Sequence, residues 1–164
     1  MTDENLIVRP AVPADLDDIN AIIARAIQGW DLPERVKRLT LPSLQYSVTD
    51  FGFQSLWVAE NDSIPVGMAA WQEASPIDRI NTSPSLLLHG IYVNPDAQGY
   101  GVGRRLFAQS EEAARARGMA GIVVKAQKGS EAFYQAMGMT PMPVTDAVRQ
   151  FENRLMKVLE VPSQ

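Results

Sequence analysis

The spacing of apolar residues predicts a strand and a helix at the start of the chain. A short apolar run at residues 6–9 precedes Pro10 and indicates a first strand. Residues 13–28 follow a helical period, with aspartates near the start, and predict an amphipathic helix. Its apolar positions are Leu16, Ile19, Ile22, Ile23 and Ile27. Further on, Pro33 is suited to open a second helix, which Pro42 must end or bend.

The middle of the chain predicts a hairpin followed by a buried strand. Residues 56–60 and 65–73 have strand character, and the turn Asn61-Asp62-Ser63 joins them. A polar loop at residues 74–85 leads to residues 86–93, which are almost continuously apolar. Such a run is typical of a strand that is buried on both faces.

The remaining pattern predicts a mixed sheet. A helix is expected over residues 101–117, with Val102, Leu106 and Ala113 on one face and Gly118 as its C-cap. Further elements are expected as a strand at 121–126, a short helix at 130–137 and a last strand at 151–160. The central strand–helix–strand order implies a parallel pair, and the hairpin implies antiparallel neighbours. We therefore expect a single α/β domain over residues 1–164, a mixed sheet with helices on its faces.

The amino-acid composition excludes several kinds of functional site. The 164 residues include no cysteine and a single histidine, His89, so disulfides, thiolate nucleophiles and histidine-rich metal sites are excluded, and no acidic cluster suggests another metal site. The formal net charge of −4 argues against a nucleic-acid partner. There is no apolar run of about 20 residues and no signal-peptide pattern, so we expect no membrane association and a cytoplasmic location.

The most informative segment is the glycine-rich turn QGYGVGRR, residues 98–105, between the apolar strand and the long helix. Glycines let backbone N–H groups approach a bulky anion, and the N-terminus of the helix adds partial positive charge. Arg104 and Arg105 would supply charge-assisted donors. These features together predict a phosphate cradle, the alternative being a tight strand-to-helix turn with no ligand.

Two well-known phosphate loops do not fit the spacing. A P-loop needs Lys and then Ser or Thr after its last glycine, whereas Arg104 and Arg105 follow Gly103. A dinucleotide-binding fingerprint needs a third glycine at the position that Leu106 occupies.

Three segments in order resemble the GNAT superfamily of acyl-CoA N-acyltransferases. Gln98-x-x-Gly101-x-Gly103 is similar to the coenzyme A motif of that superfamily. The segment FYQAMGM at residues 133–139 resembles its F-Y-x-x-x-G element, and the opening Arg9-Pro10-Ala11 with Asp15 resembles its first motif. The resemblance covers residues 6–143. It implies a central sheet of six or seven strands, mostly antiparallel, with helices on both faces and a splayed parallel pair.

The resemblance also implies a co-substrate and its binding groups. Acetyl-CoA would be used directly, without a covalent enzyme intermediate. The backbone of Ile91 and Val93 would bind the pantetheine arm, and amides of the glycine turn the pyrophosphate. The turn residues concerned are Gln98, Gly99, Tyr100, Gly101, Val102, Gly103 and Arg104. Gln127 stands where the family often has a coenzyme-contacting Asn.

Two residues are candidates for proton transfer. By the resemblance, Tyr134 would protonate the departing thiolate, the alternative being a tyrosine that only packs its helix. His89 lies on a strand where the family often places a general base, and an imidazole with a solution pKa of about 6.5 suits that role. The alternatives for His89 are a satisfied core histidine or a residue that shapes the pocket.

The acceptor is not readable from the sequence. Aromatic and acidic residues in the variable regions would suit a cationic amine, although most of them are expected in the core or in solvent. They are Trp30, Asp31, Phe51, Phe53, Trp71, Glu73 and Asp78. We expect a primary amine of a small molecule, an amino acid or a peptide. Alternatives are a toxin that acetylates transfer RNA, a non-catalytic acyl-CoA sensor and an interaction module. An exposed last strand would offer a contact for a homodimer.

Overall fold

The structure is a computed structural model that describes residues 3–160. Within them the chain forms seven strands and four α-helices, with single 3₁₀ turns between several of them. In chain order they are β1 (Leu6–Pro10), α1 (Leu16–Gln28), α2 (Glu34–Leu44), β2 (Ser55–Asn61), β3 (Ile64–Glu73), β4 (Leu86–Val93), α3 (Val102–Ala116), β5 (Gly121–Lys125), α4 (Glu131–Ala136), β6 (Thr140–Pro141) and β7 (Arg154–Val158).

The strands form a mixed sheet in the order β1-β2-β3-β4-β5-β7-β6. β1 and β2 are antiparallel, and β7 is antiparallel to both β5 and β6. β4 and β5 are parallel, as their connection through α3 requires. Their ladder runs from Leu86↔Ile122 to Leu88↔Val124, and β4 then continues for five residues to Val93. The predicted mixed sheet with a parallel pair is confirmed.

The described residues divide into two compact units. The first contains the chain up to Ala70 together with Ile91–Leu106, and the second contains Trp71–Gly90 and the chain from Phe107 onward.

In the first unit, α1 covers one face of the sheet with the isoleucines that its pattern predicts. Ile19, Ile22 and Ile23 are fully buried and pack with Met68 and Tyr92 of the strands. The opposite face of β3 receives the start of α3, at Gly67. A Cβ added at Gly67 would lie 2.8 Å from Val102 Cγ1 and 3.2 Å from Leu106 Cδ1. Glycine therefore lets the first turn of α3 sit close against the sheet.

In the second unit, a smaller apolar cluster lies beside a buried ion pair. Leu87 of β4 and Val123 of β5 pack with Ala74 and Ile80 from the loop between β3 and β4. In that loop Asp78, 2% exposed, accepts a hydrogen bond from Arg154 of β7 at 3.2 Å. Lys125 Nζ lies 3.1 Å from the other oxygen of Asp78.

The hairpin between β2 and β3 closes where the sequence predicts it. Its loop residues, Asp62 and Ser63, have φ values of 50° and 66°. Positive φ at both central positions defines the turn whose twist matches that of the strands. Asn81 and Thr82, with φ values of 48° and 64°, make a second such turn inside the isolated bridge Ile80↔Ser83.

Several predicted bounds are confirmed, and the helix ends explain why. β4 has its predicted limits, and α3 and α4 both end in glycines with positive φ, Gly118 at 65° and Gly138 at 92°. After α3, Gly118 N–H bonds to Arg115 and Met119 N–H to Ala114. This is the Schellman arrangement, in which a left-handed residue closes the helix.

Pro42 lies in the last turn of α2, which ends two residues later, in line with a proline that ends a helix. Two other details of the predicted pattern are wrong. Ala114, not Ala113, joins the buried face of α3. The last strand is only Arg154–Val158 and lies inside the sheet, because the unpredicted two-residue strand β6 pairs along its outer side. The exposed last strand that we considered for a dimer contact is therefore not observed.

Candidate active site

The glycine turn has the backbone conformation that the sequence motif requires. A single 3₁₀ turn, Pro95–Ala97, follows β4, and then Gly99 and Gly101 adopt φ values of 86° and 79°. A Cβ at either position would meet no atom of the chain within 4 Å. Glycine is therefore required here by the left-handed backbone and not by crowding. Gln98 and Tyr100 are exposed.

The turn opens directly into the N-terminus of α3. Arg105 N–H bonds to Gly101 O at 3.0 Å, so the amides of Val102, Gly103 and Arg104 fall in the first helical turn. Such amides have no acceptor within their own helix and are suited to an anion. Val102 is buried, whereas the side chains of Arg104 and Arg105 are exposed beside the turn. The turn and the helix start can thus bind a phosphate with backbone donors and two cations.

The last residues of β4 differ in burial according to the face of the sheet they lie on. Tyr92 points into the core under α1, where burial raises the pKa of its phenol to about 12, and its ring stacks on Trp30 with centroids 6.4 Å apart. Ile91 and Val93 are half-buried and, by strand alternation, point to the other face. Since the described β4–β5 ladder stops at Leu88↔Val124, this part of β4 lies beyond it.

His89 is exposed, although its neighbours Leu88 and Gly90 are buried. Strand alternation puts it on the same face of β4 as Leu87. The interpretation of His89 as a core histidine is therefore wrong. Its imidazole is accessible to a substrate.

Tyr134 is carried by α4, a helix of six residues. The residue is 5% exposed, and its ring meets Phe133 edge-on with centroids 5.1 Å apart. A Schellman arrangement closes the helix: Gly138 N–H bonds to Gln135 O and Met139 N–H to Tyr134 O. This closure holds the backbone of α4 at Tyr134.

Gln127 is exposed in the loop between β5 and α4, and side chains hold that loop. Ser130 Oγ donates to Gln127 O at 2.7 Å, and Glu131 Oε2 accepts the Gly129 amide at 2.7 Å. Hydrogen bonds from its own backbone amide and from that of Gly129 lower the pKa of Glu131. Asn153 bridges Glu131 Oε1 at 2.9 Å and Ala126 O at 3.1 Å. Sequence patterns gave no sign of Asn153.

Several of the residues considered for binding the acceptor are instead packed in the core or engaged in ion pairs. Phe51 packs against the core under α1, and Trp71 is 3% exposed. Glu73 pairs with Arg79 and Arg117. Phe53 is different, because it is 75% exposed.

A separate cleft of about 240 Å³ lies between α1 and α2. Its walls include Ile27 and Leu41, and at Lys37 the ammonium group donates to Gln28 O at 2.8 Å.

Comparison with known proteins agrees with this geometry. The sequence model of the Acetyltransferase (GNAT) family matches residues 24–139, well over half of the chain. The protein therefore belongs to the GNAT acetyltransferase family. A search of curated protein sequences gave no match.

Solved structures share the fold. A GCN5-related N-acetyltransferase from Rhodopseudomonas palustris superimposes with a TM-score of 0.75 at 22% identity, covering 97% of this chain and 99% of its own. The PaiA N-acetyltransferase of Thermoplasma acidophilum, solved with coenzyme A, gives 0.73 at 15% identity, over 94% and 99%. A Brucella melitensis family member solved with acetyl-CoA gives 0.64 at 18% identity, over 94% and 88%.

Among residues 3–160, no group of three His, Cys, Asp or Glu side chains is arranged to hold a metal ion. None of the helices in that range has the length and apolar character needed to cross a membrane.

Proposed function

We propose that the protein transfers the acetyl group of acetyl-CoA to a primary amine. The observation that carries the proposal is the glycine turn, in which positive φ at Gly99 and Gly101 leads into the first-turn amides of α3. Membership of the GNAT family and the relatives solved with acetyl-CoA or coenzyme A support it.

The binding roles follow the chemistry of the co-substrate. Amides from Gln98 to Arg104 bind the pyrophosphate, assisted by the start of α3. The backbone of Ile91 and Val93 bonds to the amide groups of pantetheine, in the manner of an added strand. Gln127 contacts the coenzyme from the loop before α4.

The transfer is a direct displacement. The amine nitrogen attacks the thioester carbon, and the C–S bond breaks as the amide C–N bond forms. The thiolate takes a proton from the phenol of Tyr134, which then regains one from solvent. An acceptor that arrives as an ammonium ion loses one proton to a base before the attack, and its nitrogen releases a second proton to solvent as the amide forms. We assign that base to His89, directly or through water, because its side chain is exposed on β4. An alkyl amine with a pKa of about 10.4 is almost fully protonated at neutral pH, so the base is needed.

The acceptor in this proposal is a small-molecule amine, an amino acid or a peptide N-terminus. The net charge of −4 favours a cationic acceptor over a nucleic acid. Solved structures with this fold include ribosomal-protein-alanine N-acetyltransferases, so a protein acceptor belongs in the test. They also include the AtaT toxin, and the toxin alternative raised by the sequence adds transfer RNA to the test. We place the reaction in the cytoplasm, as the sequence predicts.

The test combines binding with turnover. Acetyl-CoA at 100 times its Kd should raise the free energy of unfolding by about 2.7 kcal/mol, which a thermal shift detects. Thiol release should then be measured with amino acids, small polyamines, peptides with free N-termini and charged transfer RNA. Release with one amine class supports the proposal. Binding without release from any class would indicate an acyl-CoA sensor, and the absence of a thermal shift an interaction module; either outcome overturns it.

A further inference from the structure

α4 is too short to hold its own position. A helix of six residues is not stable alone in water, so its placement depends on contacts with the rest of the fold. Two side chains of one segment, Asn153 and Lys157, reach its two ends. Asn153 immediately precedes β7, and Lys157 lies within it.

The C-terminal end of α4 is bound by Lys157. Its Nζ donates to Met137 O at 2.8 Å, one of the carbonyls that the helix itself leaves without a donor. A cation at this end also interacts favourably with the helix dipole. Gly138 leaves room for this approach, since a Cβ there would lie 3.2 Å from Lys157 Cε and 3.3 Å from Nζ, closer than most such contacts.

Lys157 is in turn held by α3. Its Nζ lies 3.2 Å from Glu111 Oε2 and 5.5 Å from the centre of the Phe107 ring. The side chain is 28% exposed, so these contacts are partly shielded from water. β7 also pairs with β5 over the whole of Gly121–Lys125, and the glycine at 121 leaves room for the backbone oxygen of Lys157. Lys157 therefore connects α4 to a fixed strand and a fixed helix.

The N-terminal end of α4 is bound by Asn153. Its amide nitrogen donates to Glu131 Oε1, in the first residue of the helix, and to Ala126 O at the end of β5. Ala126 N–H returns a bond to Asn153 O at 2.9 Å. The two ends of α4 are thus tied to one short stretch of chain, residues 153–157.

From this geometry we infer that Lys157 and Asn153 are positioning residues for Tyr134, and that Lys157 fixes the phenol relative to the reacting thioester. This inference rests on the proposed role of Tyr134 as the acid. A misplacement of a catalytic group by about 1 Å can lower the rate by up to about a hundredfold. The contacts at the two ends of α4 should therefore affect turnover more than the binding of acetyl-CoA.

The first experiment needs no substrate. In Lys157→Met the aliphatic stem remains and the ammonium group is lost. Amide hydrogen exchange at Gly138 and Met139 should become about threefold to tenfold faster, the factor corresponding to one lost hydrogen bond. The matched control is Arg115→Met, because Arg115 also pairs with Glu111, at 3.2 Å, but does so from within α3. Equal exchange in both variants would overturn the inference.

The second experiment measures turnover. Lys157→Met should lower kcat by about tenfold while KM for acetyl-CoA changes less than about twofold. Lys157→Arg, which can still donate to Met137 O, should recover most of kcat. In a Tyr134→Phe background, Lys157→Met should cause no further loss, because both changes act on one group.

The outcomes separate the two proposals. If Tyr134→Phe leaves kcat unchanged, the acid assignment fails and this inference fails with it. If Tyr134→Phe lowers kcat but folded Lys157→Met does not, only the inference fails. Should Lys157→Met not fold, Asn153→Ala tests the other end of α4 by the same kcat measurement, and an unchanged kcat overturns the inference.

Discussion

Arg9 and Asp15 form a two-pronged ion pair, in which each terminal guanidinium nitrogen donates to one carboxylate oxygen at 2.9 Å. Asp15 also accepts the Val12 amide at 2.8 Å, and Arg9 bonds to Glu60 of β2. The motif at the start of the chain thus has a structural explanation. It joins β1, the entry to α1 and β2, the elements that carry the core of the first unit.

The Arg9–Asp15 pair should make the free energy of unfolding fall at acidic pH. The hydrogen bond from Arg9 lowers the pKa of Asp15, so its contribution is complete above the unfolded pKa of about 3.9 and is lost as pH falls through the folded value. Asp15→Asn should lower the free energy of unfolding by about 2 kcal/mol at pH 7, or about 5 °C in Tm. Melting curves from pH 7 to pH 2 should show a constant gap down to about pH 4 and a narrowing gap below it. Asp17→Asn, exposed in the same turn, is the control; a constant gap for Asp15→Asn contradicts the account.

The left-handed turn should be essential for binding the co-substrate. Gly101→Ala places a side chain at φ 79°, which costs about 1–2 kcal/mol and favours rearrangement of the turn. We expect the Kd for acetyl-CoA, measured by calorimetry, to rise about tenfold. Gly52→Ala is the control, because a Cβ at Gly52 also meets no atom within 4 Å and no left-handed φ is involved. An unchanged Kd in folded Gly101→Ala would remove the turn from the site.

The base role of His89 predicts a change in the pH dependence of turnover. His89→Ala should lower kcat/KM by about a hundredfold and abolish the fall in rate on the acid side of the profile, where an imidazole base becomes protonated. The Kd for acetyl-CoA should stay the same, since no binding role is assigned to this side chain. A profile identical to that of the parent protein would show that His89 is not the base.

The buried ion pair of the second unit should be costly to break. Arg154 and Asp78 have side chains that are 0% and 2% exposed. Asp78→Ala leaves the guanidinium buried without its carboxylate and should destabilise the fold by about 3–5 kcal/mol. Glu73→Ala removes a carboxylate that is 44% exposed, so a loss under about 1 kcal/mol is expected. Urea unfolding of the two variants compares them directly; equal losses would mean that burial of the pair is unimportant.

Much of the fold could be predicted because local chemistry determines it. Continuous apolar residues defined β4, and Gly118 and Gly138 marked helix ends because only a left-handed residue closes them in this way. β6 was missed because two residues form a strand only by pairing with β7. The ion pairs Lys157–Glu111 and Arg154–Asp78 join residues far apart in sequence, so no local pattern predicts them. The positions of Tyr134 and the glycine turn were predictable from motifs, but the side chains that hold α4 were not.

The edge strands of the sheet are poorly suited to pairing with a second molecule. Among the described strands, the outermost are β1 and β6, and each ends in a proline, Pro10 and Pro141. Proline has no amide hydrogen to donate to an incoming strand. The edge strand β6, with two residues, also offers few backbone groups for pairing. Growth of the sheet from one molecule to the next is thereby discouraged at both rims. An oligomer is therefore expected to use side-chain surfaces more readily than strands added at these edges.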